Sequence, residues 1–233
     1  MICLAIVWGL PSFRKRRFAI TSFANTDGIL ITKNLINIIV ENKQHLSDID
    51  GLIGDGDHGI NMSRGFEKTA ERLNGDSDSL SSSFKILSTV LMDEIGGAMG
   101  PLYGSFFRAM FRASRKCDEI DEKVFSQMLN SSLEKVREIG QAEVGDKTLI
   151  DTLVPAVAAF DQAIAEERGF SDALDAMKSA AEKGRNSTKE LVAKKGRASR
   201  LGERSKGVMD AGATSCCLIL SSMADSMQKL IGS

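Results

Sequence analysis

The chain has 233 residues, 42% of them hydrophobic, with 30 basic side chains against 31 acidic ones and a formal net charge of -1. That length buries a full core in one domain. The near-neutral balance excludes wholesale nucleic-acid binding, which shows as a basic excess, and no stretch reaches the apolar length that crosses a bilayer.

At the start, the apolar run from Ile2 to Leu10 precedes the basic Arg14-Lys15-Arg16-Arg17. This reverses the order of a signal peptide. Residues 1–25 are therefore expected to be an atypical, dispensable extension, and 26–233 the folded domain. From there apolar residues recur at spacings of three and four, first around Leu30, Ile31, Leu35, Ile38 and Ile39. The period predicts helices over 28–44, 59–74, 79–95, 101–117, 121–140, 147–168, 171–194 and 211–231. Asp121 and Ser171 are expected N-caps, Gly75, Gly140 and Gly169 mark ends, and Pro155 should kink the sixth helix or start a new turn. No alternating runs bounded by hairpin turns are present, so strands should be nearly absent. The expected fold is all-α: eight antiparallel amphipathic helices with short connections, in the up-down style of a bundle.

Between the first two predicted helices lies Asp50-Gly-Leu-Ile-Gly-Asp55-Gly-Asp57-His58-Gly59-Ile60-Asn61. Carboxylates held this close repel one another unless a cation or protons neutralise them. Mg²⁺ is a fitting cation, because it reaches proteins through a few carboxylates plus substrate phosphates. Asp and Gly are also ordinary turn residues, so the same run reads as a solvated turn. An EF-hand loop is excluded: counted from Asp55, its fifth position is Gly59 and its twelfth Phe66, where that loop needs ligands.

In an up-down bundle alternate loops share one end. The loops 45–58, 96–100, 141–146 and 195–210 are such a set, and they hold most of the glycine-rich and charged segments. The last, with the residue before it, carries Lys194, Lys195, Arg197, Arg200, Arg204 and Lys206, opposed only by Glu203. It reads either as a solvated loop or as a phosphate clamp, since arginine's planar fork suits phosphate. One end then combines acids, helix N-termini and an arginine loop, which together suit a nucleotide di- or triphosphate. No Walker-type GxxxxGK[ST] or strand-turn-helix frame is present, which excludes P-loop and Rossmann sites. Asp146, Lys147 and Thr148 are either a cap with flanking charge or direct ligands, and Asp151 reads as structural. Cys3, Cys117, Cys216 and Cys217 show no zinc or CxxC spacing, so the chain is expected to be reduced and cytoplasmic. The ten methionines read as core filling.

Five ordered blocks carry a resemblance over 28–231. They are GDGDHG at 54–59 with Asn61 and Arg64-Gly65-Phe66, GGAMGPLYGSFF at 96–107, GDKT at 145–148 with Asp151, GRASRLGERS at 196–205, and Asp210-Ala-Gly-Ala-Thr214. They resemble the L subunit of dihydroxyacetone kinases, the nucleotide-binding half of a two-component ketose kinase. The resemblance implies a closed barrel of eight amphipathic antiparallel helices with the nucleotide site in the loops at one end. It implies that Asp50, Asp55 and Asp57 ligate two Mg²⁺ ions beneath the phosphates of ADP or ATP. His58, Gly59, Ile60 and Asn61 would open a helix against the nucleotide. Ala98 and Met99 would meet the phosphates through backbone, Gly140 and Leu149 would line the nucleoside side, and Arg197 with Asp210, Ala211 and Gly212 would cover it. Arg197 is the expected catalytic residue, stabilising the transferring charge. The family commonly has Ser where this chain has Met99 and Pro where it has Ala211; neither change touches the acids.

The implied function is phosphoryl transfer to a ketose that a partner K subunit holds. The form of the acidic motif resembles the version in which bound ADP is rephosphorylated by a phosphocarrier (an M-type subunit) of the phosphoenolpyruvate-dependent phosphotransferase system. The alternatives are an ATP-dependent kinase subunit for a four-carbon ketose of the erythrulose type, and a non-catalytic nucleotide sensor that binds a transcription regulator. A homodimer or heterocomplex is expected, with no membrane and no direct nucleic-acid contact.

Overall fold

The computed structural model describes residues 22–75 and 78–232. Of the extension expected at 1–25, residues 1–21 lie outside the described residues. The rest belongs to the packed fold. Strand β1 (Ser22–Ala24) pairs antiparallel with β2 (Glu119–Asp121), in the register Ser22↔Asp121, Phe23↔Ile120 and Ala24↔Glu119. The pairing buries Phe23 and Ile120. Asn25 then staples the junction: its amide donates to Ser81 Oγ at 2.9 Å and to the Cys117 carbonyl at 2.8 Å. This short sheet escaped the sequence because three residues are too few to show a period of two.

Nine α-helices follow among the described residues, where eight were expected. The predicted 28–44 helix is two: α1 (Ile29–Glu41) and α2 (Lys43–Ile53). Asn42 makes the break, turning its side-chain amide onto the Ile38 carbonyl at 2.8 Å and so competing with the helical ladder. Most of the expected loop 45–58 is therefore helix, whose Leu46, Ile49 and Ile53 are buried. The chain continues through α3 (His58–Arg72), α4 (Leu80–Glu94), α5 (Met99–Ser114) and α6 (Glu122–Gly140). It ends with α7 (Ile150–Ala165), α8 (Phe170–Ser187) and α9 (Ala211–Ile231). Asp121 caps α6, accepting from the backbone N–H of Lys123 and Val124 at 3.0 and 2.8 Å. Ser171 is not a cap: Gly169 holds that position, and Ser171 lies inside α8.

Helix α7 runs through Pro155 without ending. A proline leaves the carbonyl four residues earlier without its helical partner, here that of Asp151. Against this carbonyl α8 brings Gly184, where a Cβ would stand 2.2 Å from the Asp151 oxygen. Two aromatic groups fill the interior: Phe66, Phe84, Phe106 and Phe107, with neighbouring centroids 5.1–6.1 Å apart, and Phe125, Phe160 and Phe170. Helices α3 to α9 each pack on the next; α1 packs on α3 and on α9, and α2 lies against α3 and α9. No described helix is long and apolar enough to cross a membrane. Among the described cysteines, Cys117, Cys216 and Cys217 are all unbridged.

Candidate functional site

A cavity of about 480 Å³ opens where the C-terminal end of α2 meets the first residues of α3, α5, α7 and α9. Asp50, on the last turn of α2, and Asp55 and Asp57, in the turn that leads into α3, offer carboxylate oxygens that all lie within 4.8 Å of one another. Gly56, at φ 77°, bends the chain back between them, a conformation glycine adopts without Cβ strain. Among the described residues the cation in contact is Arg197, which forms an ion pair with Asp55 and sets Nη1 3.5 Å from Asp57 Oδ2. One guanidinium leaves two of three negative charges uncompensated. The donor set is all oxygen, partly solvated, and free of sulfur or imidazole ligands, which suits a hard divalent cation.

A second wall is set by His58, Met99, Ile150 and Ala211, the first residues of their helices, all four of which line the cavity. Helix N-termini carry unpaired N–H groups and a positive dipole end, so this wall favours anions. A third wall is apolar, formed by Leu102, Val136, Ile139, Ala142, Leu149 and Ile150. It ends at Gly140, the last residue of α6. The three surfaces together accommodate a flat apolar group, a phosphate chain and its counter-cation.

The expected site residues Asp50, Asp55, Asp57, His58, Ala98, Met99, Gly140, Leu149, Arg197, Asp210, Ala211 and Gly212 all line this cavity. Gly59, Ile60 and Asn61 do not. Gly59 is buried where α3 crosses α2, with its missing Cβ position 2.0 Å from the Lys43 carbonyl. Ile60 is an exposed side chain on the helix surface, and Asn61 completes the first turn by donating its N–H to the Asp57 carbonyl at 2.9 Å. Gly59 and Ile60, one and two residues beyond His58, turn away from the face that His58 occupies, and Asn61 stands a turn further along the helix.

Sequence reading missed a buried chain of hydroxyls. His58 Nε2 meets Ser215 Oγ at 2.9 Å, and Ser215 meets the hydroxyl of Tyr103, the chain's one tyrosine, at 2.7 Å. Tyr103 also donates to the Gly212 carbonyl at 3.1 Å, tying the starts of α3 and α9 to α5. Burial lowers the His58 pKa to about 4, so its ring is neutral near pH 7. Its backbone N–H points at Asp50 Oδ2, 3.3 Å away. A tyrosine inside a glycine-rich block, GGAMGPLYG, was the available signal.

The GDKT turn divides its labour. Asp151 accepts from the N–H of Gly145 at 2.6 Å and of Thr148 at 2.7 Å, so it shapes the turn. Asp146 accepts from Glu143 N–H at 2.9 Å. Lys147, 1% exposed, is withdrawn from solvent and donates to main-chain carbonyls; burial lowers its pKa. Asp210 caps α9 by accepting from Ala213 N–H at 2.7 Å. Burial, with smaller like-charge contributions from Asp151 and Asp50, pushes its carboxyl up to about 7.

That shift has a measurable sign. A carboxyl protonated in the folded state but ionised in the unfolded one removes stability as pH rises from about 4 to about 7. Asp210→Asn keeps a good capping oxygen and abolishes the titration. Thermal melts should show the variant gaining on the parent between pH 5 and pH 8, by about 3 kcal/mol at the upper limit. An equal difference at both pH values contradicts the shift.

The DAK2 domain family matches residues 52–225. The chain is 38% identical over 189 residues to the ADP-binding subunit DhaL of the PEP-dependent dihydroxyacetone kinase of Escherichia coli K12, covering 81% of this chain and 90% of that one. It is 39% identical over 186 residues to the ADP-binding subunit DhaL of the PEP-dependent dihydroxyacetone kinase 1 of Listeria innocua, covering 79% and 88%. Among solved structures, the dihydroxyacetone kinase of C. freundii in complex with AMP-PNP and Mg²⁺ superposes with a TM-score of 0.66 at 23% identity. That match covers 97% of this chain and 38% of the other, so the chain spans little more than a third of that kinase, and the likeness carries the fold alone.

Proposed function

The chain belongs to the DAK2 domain family, and from that premise we propose that it is the nucleotide-binding subunit of a dihydroxyacetone kinase. In this reading it transfers a phosphoryl group from bound nucleotide to a ketose held by a separate K subunit. The observation that carries it is the cavity that gathers three carboxylates, four helix N-termini and an apolar wall. The order of helix contacts from α1 through α3 to α9 and back to α1 supports the expected closed barrel of eight helices, with α2 outside it. The domain proposed is 26–233, with β1 as its added edge.

Phosphoryl transfer needs positioning and charge neutralisation more than covalent chemistry by the protein. The N-terminal N–H groups of α5 and α9, at Ala98–Met99 and Ala211–Gly212, bind phosphate oxygens. Leu149 and Gly140 bound the nucleoside, and the loop carrying Arg197 closes over the phosphates and excludes water. Asp50, Asp55 and Asp57 would hold Mg²⁺, two ions in our reading, which neutralises charge on the phosphates. Arg197, now paired with Asp55, would be free to meet the transferring phosphoryl group wherever a cation balanced that carboxylate instead.

The printed names of the relatives, PEP-dependent and ADP-binding, favour ADP held as a coenzyme and rephosphorylated by a phosphocarrier of the phosphotransferase system, in the cytoplasm. The test is to purify the chain alone, denature it and identify what it releases. Stoichiometric ADP and Mg²⁺ are expected. An empty chain that binds ATP–Mg²⁺ reversibly moves the reading to an ATP-consuming kinase. A chain that binds no nucleotide with Mg²⁺ present removes it.

A further inference from the structure

Lys147 has a place in this fold that its position in the GDKT turn does not suggest. Its ammonium is buried, and its three N–H donors are matched by three main-chain acceptors: Thr188 O at 2.6 Å, Leu191 O at 3.2 Å and Val208 O at 2.6 Å. Two of these lie at the start of the segment between α8 and α9, and the third lies at its end. One point charge therefore fastens both ends of the segment to the turn before α7. Two further ties close the same neck. Gly207 N–H donates to the Lys189 carbonyl at 2.8 Å, and Ala193 N–H donates to the buried Ser205 Oγ at 2.9 Å. Beyond the neck, Lys195 to Arg204 stand largely in solvent, and Arg197 reaches from there to Asp55 and Asp57.

A loop with closed ends has fewer conformations than an open one of the same length. Here the closure comes from a residue that lines the cavity together with Thr148 and Leu149. We infer that Lys147 is a positioning residue for Arg197: by gathering the Thr188, Leu191 and Val208 carbonyls it holds the loop's neck shut and sets the reach of Arg197 to the acidic end of the cavity. The neck stands on geometry alone, and only its consequence for phosphate contact rests on the nucleotide reading above.

The test replaces Lys147 with methionine in the full chain and measures two things. Without nucleotide, trypsin cleavage at the basic residues between Lys194 and Lys206 should be roughly tenfold faster than in the parent, because local opening exposes the loop. With Mg²⁺ and ADP, a double-mutant cycle pairs Lys147→Met with Arg197→Ala and follows nucleotide release. Loss of Arg197 should accelerate release clearly in the parent and little in the Lys147→Met background. Parental cleavage rates, or an equal Arg197→Ala effect in both backgrounds, overturn the proposal. If Lys147→Met does not fold, Lys147→Arg decides: its planar fork cannot serve the same three carbonyls, so faster loop cleavage at a parental melting temperature supports the neck, and unchanged cleavage overturns it. A chain that binds no nucleotide overturns the proposed function, while the cleavage rates still decide the neck.

Discussion

Asp57→Ala is expected to leave the unliganded chain folded with its melting temperature unchanged or slightly raised, while Mg²⁺-dependent nucleotide affinity falls by at least about 100-fold. The two halves have one cause. Three carboxylates within 4.8 Å of one another repel, and Arg197 compensates only part of that charge through Asp55 and Asp57. Removing one carboxylate relieves the unliganded protein, since Asp55 retains its pair with Arg197. The same removal takes an oxygen and a negative charge from any cation placed there. Asp57→Asn keeps an oxygen without the charge and should fall between. Titration calorimetry with ADP, with and without Mg²⁺, checks all three. Parental Mg²⁺-dependent affinity in Asp57→Ala would mean that the acidic run is a solvated turn after all.

Gly59→Ala should do the opposite, damaging the fold before any ligand is added. Its Cβ would lie 2.0 Å from the Lys43 carbonyl and 2.8 Å from the Ser47 N–H. These are main-chain atoms of the first turn of α2, so no side-chain rotation relieves the clash. Helix α2 must move off α3, at about 3 kcal/mol or more, which for a chain of this size lowers the melting temperature by roughly 6–12 °C. Ser47→Gly should not rescue the variant, because the closest contact is with Lys43 rather than with the Ser47 hydroxyl. Nucleotide affinity should fall too: Asp50 rides on α2, whereas Asp57 and His58 begin α3, so separating the helices pulls the carboxylates apart. Differential scanning calorimetry of the ligand-free protein reads the effect, and a shift below about 2 °C would show that the crossing yields more easily than its geometry suggests.

These two positions sit two residues apart and fail for different reasons, a contrast the sequence alone did not reveal. The chemistry of the acids was legible because Asp50, Asp55 and Asp57 are close along the chain, and like charges so placed demand a counter-charge in any fold. Gly59 read as part of a ligand loop because it follows them. The reason for the glycine lies in Lys43, in a helix whose existence was masked by its weak signal of three buried apolar residues in a polar, glycine-ended stretch. Arg197 stood out from its basic neighbours only through the family resemblance, and its partner Asp57 lies 140 residues away. Lys147 was harder still, because lysine is among the residues least often buried. Only three carbonyls from a distant segment explain its position. The chain of His58, Ser215 and Tyr103 likewise joins residues of three helices with no shared periodicity.

Sequence by itself determined that the protein is helical, that glycine and charge concentrate in the connecting segments, and that three aspartates crowd one short stretch. Those properties follow from local physics: the 3.6-residue period, the freedom of glycine and the repulsion of neighbouring charges. Tertiary structure decided which residues after His58 reach the cavity, that α2 stands apart from the predicted helix before it, and that Lys147 donates to three carbonyls of a distant segment. The first two turn on where a helix begins or breaks, set at the break by the Asn42 side chain on the Ile38 carbonyl, and the third on where a distant segment brings its backbone carbonyls, which carry no residue-specific signature.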